Sequence, residues 1–181
     1  MHQAWVLSQL EEHERPLLRY ALRLVGEIEV ARDVVQHCFL KLCDQSAESV
    51  GEIARPWLFR VCRNRVIDLH RRTSVRGTEE ALGSGNESMG ITFAVSREPD
   101  PADHVERGEL CDRLWQLANQ LGSVQREVVV LWCEGFSYQE IASITGHTDK
   151  YVRVLAHRAL QALRKNPLVQ TWLEEVGAAK A

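Results

Sequence analysis

The sequence lacks the features that carry a chain into or across a membrane. Its 181 residues contain no apolar run of the roughly eighteen residues that a membrane-spanning helix needs. Residues 1–5 lack the basic segment followed by an apolar one that opens a secretion signal. We therefore expect a cytoplasmic protein without membrane insertion.

Cysteine and histidine are present, but never at the spacing of a metal or redox site. The five cysteines include no CxxC pair, and His37, Cys38 and Cys43 match no recognised set of zinc ligands. Four of the five cysteines fall among apolar residues in helical patterns, which is typical of buried free thiols in a reducing compartment. Neither a metal nor another cofactor is expected.

The signatures of enzymes are missing as well. There is no phosphate-cradling glycine loop, the histidines are dispersed, and no nucleophile lies near a base within a motif. The composition, with 45% hydrophobic and 26% charged residues, is ordinary for a soluble protein. The length fits one large domain or two small ones, and no enzymatic activity is predicted.

What the sequence does have is an uneven distribution of charge, although its net charge is only −3. The segment Arg55–Arg76 holds seven arginines against one acid, Asp68, and Lys150–Lys165 holds five basic residues and no acid. Between them, Gly77–Glu106 holds seven acids against Arg97. Two basic surfaces separated by an acidic connector indicate an anionic partner such as nucleic acid.

A helix-turn-helix is predicted from residues 135–153. Ser137 followed by Glu140 has the spacing of a capping box, which begins a helix. Gly146 stands where a chain leaves a helix through a left-handed residue, and Thr148 is a favoured cap for the next helix. Since that second helix is basic, the pattern favours one that lies in a DNA groove. The alternative is a plain helical hairpin with a solvated basic face.

The rest of the chain is predicted to be helical, with one long connector. Apolar spacing predicts helices over 5–24, 30–43 and 56–72, and a loop over 44–51. Pro16 predicts a kink or a break near Arg15 in the first helix. The connector could hold a short strand at 91–95, and helices resume near Ala102, with Ser123 capping the next. We predict an all-α fold of two small helical domains joined by a flexible acidic linker, the second domain containing the helix-turn-helix. The predicted boundaries are 1–73, 74–105 for the linker, 106–166, and 167–181 for a C-terminal tail.

Three segments in this order resemble the ECF (extracytoplasmic-function) sigma factors of bacterial RNA polymerase. They are residues 31–42 (ARDVVQHCFLKL), residues 56–72 (PWLFRVCRNRVIDLHRR), and residues 125–128 (QREV) leading into the helix-turn-helix. Each segment alone would be a weak signal, but the three together are specific. The main departures from the family pattern lie in the reading helix and include Tyr151 and Leu155.

The resemblance implies a sigma factor that binds core RNA polymerase and directs initiation at −10 and −35 promoter elements. Its protein partner would be the clamp helices and flap of the large polymerase subunit, and an anti-sigma factor is a further partner known in the family. The residues implied to bind polymerase are Asp33, Gln36, Phe39 and Leu40. Those implied to recognise and melt the −10 element are Arg60, Arg63, Asn64, Arg71 and Arg72, and Phe59 is added because an aromatic face can hold an unstacked base. In the −35 reader, the residues near the helix N-terminus should meet bases and later ones phosphates; the set is Thr148, Asp149, Lys150, Tyr151, Arg153, His157 and Arg158.

Several alternatives remain open from the sequence. Trp57 is more simply a core residue than a base-stacking one, and the arginines around it could be a solvated face. The acidic segment Gly77–Glu106 could thread through the RNA path of the polymerase or be a plain solvated linker. The whole chain could be a helix-turn-helix regulator that acts without polymerase, or an interaction protein that mimics a sigma factor.

Overall fold

The computed structural model describes residues 2–77 and 121–165, and every regular element in those two ranges is a helix. This confirms the all-α class. The helices belong to two compact units. The first contains the helices before residue 78, and the second contains most of those after residue 120.

Three long helices form the first unit and pack against one another in all three pairings. They are α1 (His2–Val25), α2 (Ile28–Cys43) and α4 (Ala54–Gly77), with a single-turn α3 (Ala47–Val50) and a 3-10 turn (Gly51–Ile53) between the last two. Gly26 ends α1 with a φ of 77°, and its backbone N–H donates to the carbonyl of Leu22 at 2.7 Å. A residue with a side chain would be strained there, so the glycine permits the tight return into α2.

The core of this unit joins one aromatic pair and one thiol pair from different helices. The rings of Tyr20 on α1 and Phe59 on α4 are fully buried, with centroids 5.0 Å apart. Cys38 on α2 and Cys62 on α4 are free thiols with no exposed surface. Burial raises the pKa of the Cys62 thiol, and its hydrogen bond with Cys38 adds to the effect. Both thiols therefore serve as small apolar side chains, as the sequence predicted for buried cysteines.

Local expectations failed at three places in this unit. Pro16 does not break α1, which continues through it, because burial of Leu17 and Tyr20 beyond the proline holds the helix against α2 and α4. The predicted loop at 44–51 contains α3, where Ser46 and Ser49 exchange side-chain and backbone hydrogen bonds in a capping box. Helix α4 also continues to Gly77, beyond the expected end near residue 72.

The helices described after residue 120 are α5 (Ser123–Cys133), α6 (Tyr138–Thr145) and α7 (Asp149–Arg164), and α5 packs on α7. Aliphatic side chains of all three helices are buried, among them Val128, Leu131, Ile141, Ile144, Val152 and Leu163. Ser123 was expected to cap α5 but is its first residue. Gly122 is the cap and provides no side-chain hydrogen bond.

Four predictions lie outside the described residues: the strand at 91–95, the helix beginning near Ala102, the C-terminal tail at 167–181, and most of the linker. Among the residues that are described, no helix is long and apolar enough to cross a membrane. Within the same ranges, no cluster of three or more histidine, cysteine or acidic side chains could hold a metal ion.

Candidate nucleic-acid interfaces

The first helix of the helix-turn-helix begins at the predicted capping box. The backbone N–H of Ser137 donates to Glu140 Oε2 at 2.8 Å, and the backbone N–H of Glu140 donates to Ser137 Oγ at 3.3 Å. The Ser137 hydroxyl also donates to Glu140 Oε2 at 2.7 Å. Two backbone donors at the start of α6 are therefore satisfied reciprocally.

The turn between α6 and α7 also follows the prediction. Gly146 has a φ of 74°, and beyond it the backbone N–H of His147 donates to the carbonyl of Ala142 at 3.1 Å. Thr148 then caps α7, since its Oγ1 accepts from the backbone N–H of Tyr151 at 3.3 Å. These bonds close α6 and begin α7 within three residues, which fixes the angle between the two helices.

Replacing Gly146 with alanine should destabilise the second unit by about 1–2 kcal/mol, because the left-handed conformation is costly for a residue with a Cβ. The strain comes from the backbone alone, since among the described residues no heavy atom beyond Gly146 and its two chain neighbours lies within 4 Å of an added Cβ. Gly146→Asn should cost less, because asparagine tolerates this conformation better. Thermal unfolding of the two variants checks the order; an equal loss for both would contradict a backbone origin.

Helix α7 presents a polar outer face and buries an aliphatic inner one. The proposed DNA-contacting side chains Lys150, Tyr151, Arg153, His157 and Arg158 are all exposed. Val152 and Leu155 are buried on the inner face. Leu155 departs from the family pattern, but its burial prevents it from contacting a base.

Arg153 is held by one residue from each helix of the motif. Its Nε–H donates to Asp149 Oδ2 at 2.7 Å, and its guanidinium carbon lies 5.2 Å from the centre of the Tyr138 ring, within cation–π range. The hydrogen bond and charge of Asp149 raise the pKa of Arg153. Tyr138 was not among the predicted site residues, and only the packing of α6 beside α7 reveals it.

Tyr151 is oriented by a second aromatic contact. The His147 ring meets it edge-on, with centroids 5.1 Å apart and planes inclined by 73°. Val154, one helical turn further along α7, is also exposed and was missed by the sequence analysis. Its 39% exposure beside an exposed tyrosine places an apolar strip on the outer face, which suits a thymine methyl group in the major groove.

Helix α4 carries the second candidate surface. Arg60, Asn64, Arg71 and Arg72 are exposed. The spacings of four and seven residues put the first three on one side of the helix, and Arg72 lies about 100° around the helix from Arg71. Arg63 is half-buried, as is Trp57. Two exposed arginines with one amide on the same side, flanked by a third arginine, can contact a phosphate backbone and one base edge.

The burial of Phe59 removes this residue from the predicted set of −10 residues. It has no exposed surface and packs on Tyr20, so its ring face is not available to an unstacked base. The physical reason is its position beside Leu58, one turn before Cys62 and two turns before Val66, all buried on the inner face of α4.

The four residues proposed to bind polymerase on α2 also include both exposed and buried side chains. Asp33, Gln36 and Leu40 are exposed, and Leu40 keeps 60% of its surface free. Phe39 is buried, so the prediction that it contacts a partner is wrong and it instead anchors α2 in the core. Burial, with contributions from Arg65 and Lys41, lowers the pKa of the neighbouring His37, which favours its neutral form.

A helix-turn-helix with a basic outer helix, in a chain that also carries an arginine-rich helix in a separate helical unit, defines a DNA-binding transcription factor. The family comparisons agree with this class. The model of Sigma-70 region 2 matches residues 10–76, and the model of Sigma-70, region 4 matches residues 111–163.

The chain belongs to the ECF RNA polymerase sigma factor family. It is 34% identical over 174 residues to the ECF RNA polymerase sigma factor SigL of Mycobacterium tuberculosis (strain ATCC 25618 / H37Rv), covering 94% of this chain and 89% of that protein. It is 27% identical over 166 residues to the RNA polymerase sigma factor YlaC of Bacillus subtilis (strain 168), covering 91% and 93%. A similar fold occurs in the co-crystal structure of the sigma factor RpoE with the anti-sigma factor NepR from Bartonella quintana, with a TM-score of 0.59, 21% identity and coverage of 87% and 93%.

Proposed function

We propose that the chain is an alternative sigma factor that binds core RNA polymerase and directs promoter-specific initiation. The observation that carries the proposal is the presence of both sigma regions in the order of the family, each with an exposed basic helix. The chain would act as an initiation specificity subunit without a catalytic site of its own.

The two basic helices have separate roles in this proposal. The exposed face of α4 would hold the melted −10 element, with arginines on phosphates and Asn64 on a base edge. The exposed face of α7 would read the −35 element in the major groove. The proposed domains keep the boundaries 1–73, 74–105, 106–166 and 167–181. The hypothesis that the acidic linker threads through the RNA path concerns residues that the structure does not describe.

Run-off transcription with purified core polymerase tests the function. We expect the chain to confer initiation at a fixed start site on linear fragments of genomic DNA, while core polymerase alone initiates at random. A regulator that acts without polymerase would bind DNA but leave the specificity of core polymerase unchanged. That result would favour the alternative function, which no feature of the described residues supports over the first.

Replacing Leu40 with aspartate should abolish co-elution with core polymerase and run-off transcription, because a charge would replace the exposed apolar side chain of the proposed docking face. The fold should survive, since Leu40 is mostly exposed. Ile53→Asp is the matched control, because Ile53 is 53% exposed in the same unit but lies on the 3-10 turn. Equal losses for both variants would contradict the assignment of the docking face to α2.

A further inference from the structure

The guanidinium of Arg153 is restrained on two sides before any DNA is present. The Nε edge is fixed to Asp149 Oδ2 by a short charged hydrogen bond of 2.7 Å. The plane is backed by the Tyr138 ring, 5.2 Å from its centre. An arginine on a helix surface normally samples many rotamers, so these two contacts reduce the freedom that binding would otherwise remove.

The two restraints leave the far edge of the guanidinium available. Among residues 2–77 and 121–165, no acceptor bonds the two Nη groups of Arg153, and its side chain keeps 56% of its surface exposed. The available edge is a fork of N–H donors lying in one plane. A fork of this kind requires two acceptors side by side.

Asp149 is hydrogen-bonded to Arg153 and is poorly placed to contact a base. Its Oδ2 accepts from Arg153, and its Oδ1 is buried without a hydrogen-bond partner in the part of the chain that the structure describes. One oxygen is therefore buried and the other is already bonded to Arg153. This geometry makes Asp149 a positioning residue, although the sequence had suggested that it reads DNA.

Among base edges in the major groove, guanine alone offers two adjacent acceptors, O6 and N7, whereas adenine offers one acceptor beside a donor. Building on the proposed function, we infer that Asp149 and Tyr138 position Arg153 so that its Nη fork reads one guanine of the −35 element. Tyr138 belongs to the first helix of the motif, so the specificity of α7 depends on a side chain outside it.

Selection from a DNA library tests the base. The holoenzyme, reconstituted from the full chain and core polymerase, is used to enrich promoter fragments randomised over the −35 region. We expect one position to be occupied by guanine, and Arg153→Lys to reduce that preference by about 5- to 150-fold, because lysine keeps the charge but loses the planar fork. Preferences at the other positions should be retained.

Variants of the two positioning residues test how Arg153 is held. Tyr138→Leu should reduce the same guanine preference by about 2- to 5-fold, the value of an exposed cation–π contact, and Asp149→Asn should reduce it at least as much. Tyr138→Phe, which keeps the ring, is the matched control and should retain the preference. In an Arg153→Ala background, neither Tyr138→Leu nor Asp149→Asn should change the selected sequence, because both act only through Arg153. Thermal unfolding of each variant measures any loss of fold separately.

The outcomes that would contradict these expectations bear on three separate claims: the base, the role of Asp149 and the proposed function. A base other than guanine at the Arg153-dependent position would overturn this inference while leaving the sigma function intact. If Asp149→Asn changed the selected sequence in the Arg153→Ala background, Asp149 would be a direct reader. A wild-type holoenzyme that enriched no −35 sequence would overturn the proposed function itself.

Discussion

Replacing Phe59 with alanine is expected to destabilise the first unit by about 3–5 kcal/mol, the usual cost of emptying a buried phenylalanine site. The side chain has no exposed surface, and its ring packs on Tyr20 with centroids 5.0 Å apart. Its loss would leave a cavity between α1 and α4 and remove an aromatic contact. Urea denaturation followed by far-UV circular dichroism measures the change.

Two companion variants separate a core role from a role in DNA binding. Arg60→Ala, at the adjacent exposed position, should change stability by no more than about 0.5 kcal/mol. Phe59→Leu keeps most of the apolar volume and should cost no more than about 1.5 kcal/mol while retaining promoter opening. If Phe59→Leu kept the fold but lost promoter opening, the ring would have a role in melting that its burial here contradicts.

The helix-turn-helix could be predicted because its determinants are local. Ser137 with Glu140, Gly146 and Thr148 each act within about one helical turn, and such caps depend on neighbouring backbone groups rather than on distant packing. The three-helix unit was predictable for a related reason, since its apolar spacing is regular. The prediction of a break at Pro16 was wrong because tertiary packing outweighed the local tendency of proline to interrupt a helix.

The errors at Phe39 and Phe59 have a common cause. Phe39 was assigned from the family resemblance and Phe59 because an aromatic face can stack on a base, although each lies on the apolar side of its helix, next to the buried Cys38 or Leu58. The three- and four-residue spacing of buried positions was the signal that could have placed them in the core. A resemblance assigns a segment to a role, but the helical period decides which side chains face outward.

The restraint on Arg153 was only half visible in the sequence. Asp149 and Arg153 are four residues apart on a predicted helix, a spacing at which opposite charges pair, so that bond could have been predicted. The contact with Tyr138 could not, because it depends on how α6 and α7 lie together. A single sequence does not give the packing of two helices precisely enough to place one aromatic ring.

Neutralising Arg60, Arg71 and Arg72 together should produce the largest change in DNA binding. All three are exposed on α4, and each phosphate contact contributes roughly 0.7–0.9 to the slope of log affinity against log salt. The triple alanine variant should therefore reduce the magnitude of this slope by about 2–3. Between about 50 and about 200 mM salt, the fold-loss of its affinity should then be roughly 30 times smaller than that of the wild type. Holoenzyme binding to promoter fragments with a melted −10 bubble, measured across that range, gives the slope.

Asn64→Ala is the matched control, because Asn64 is exposed among these arginines but carries no charge. It should leave the slope unchanged and relax the preference at one base of the −10 element, as expected for an amide on a base edge. A triple variant with the wild-type slope would show that the arginines are a solvated face. A triple variant with a lower slope and an unchanged −10 preference would show that the charge on α4 binds the DNA strand. A relaxed −10 preference in Asn64→Ala would show that the amide reads the base.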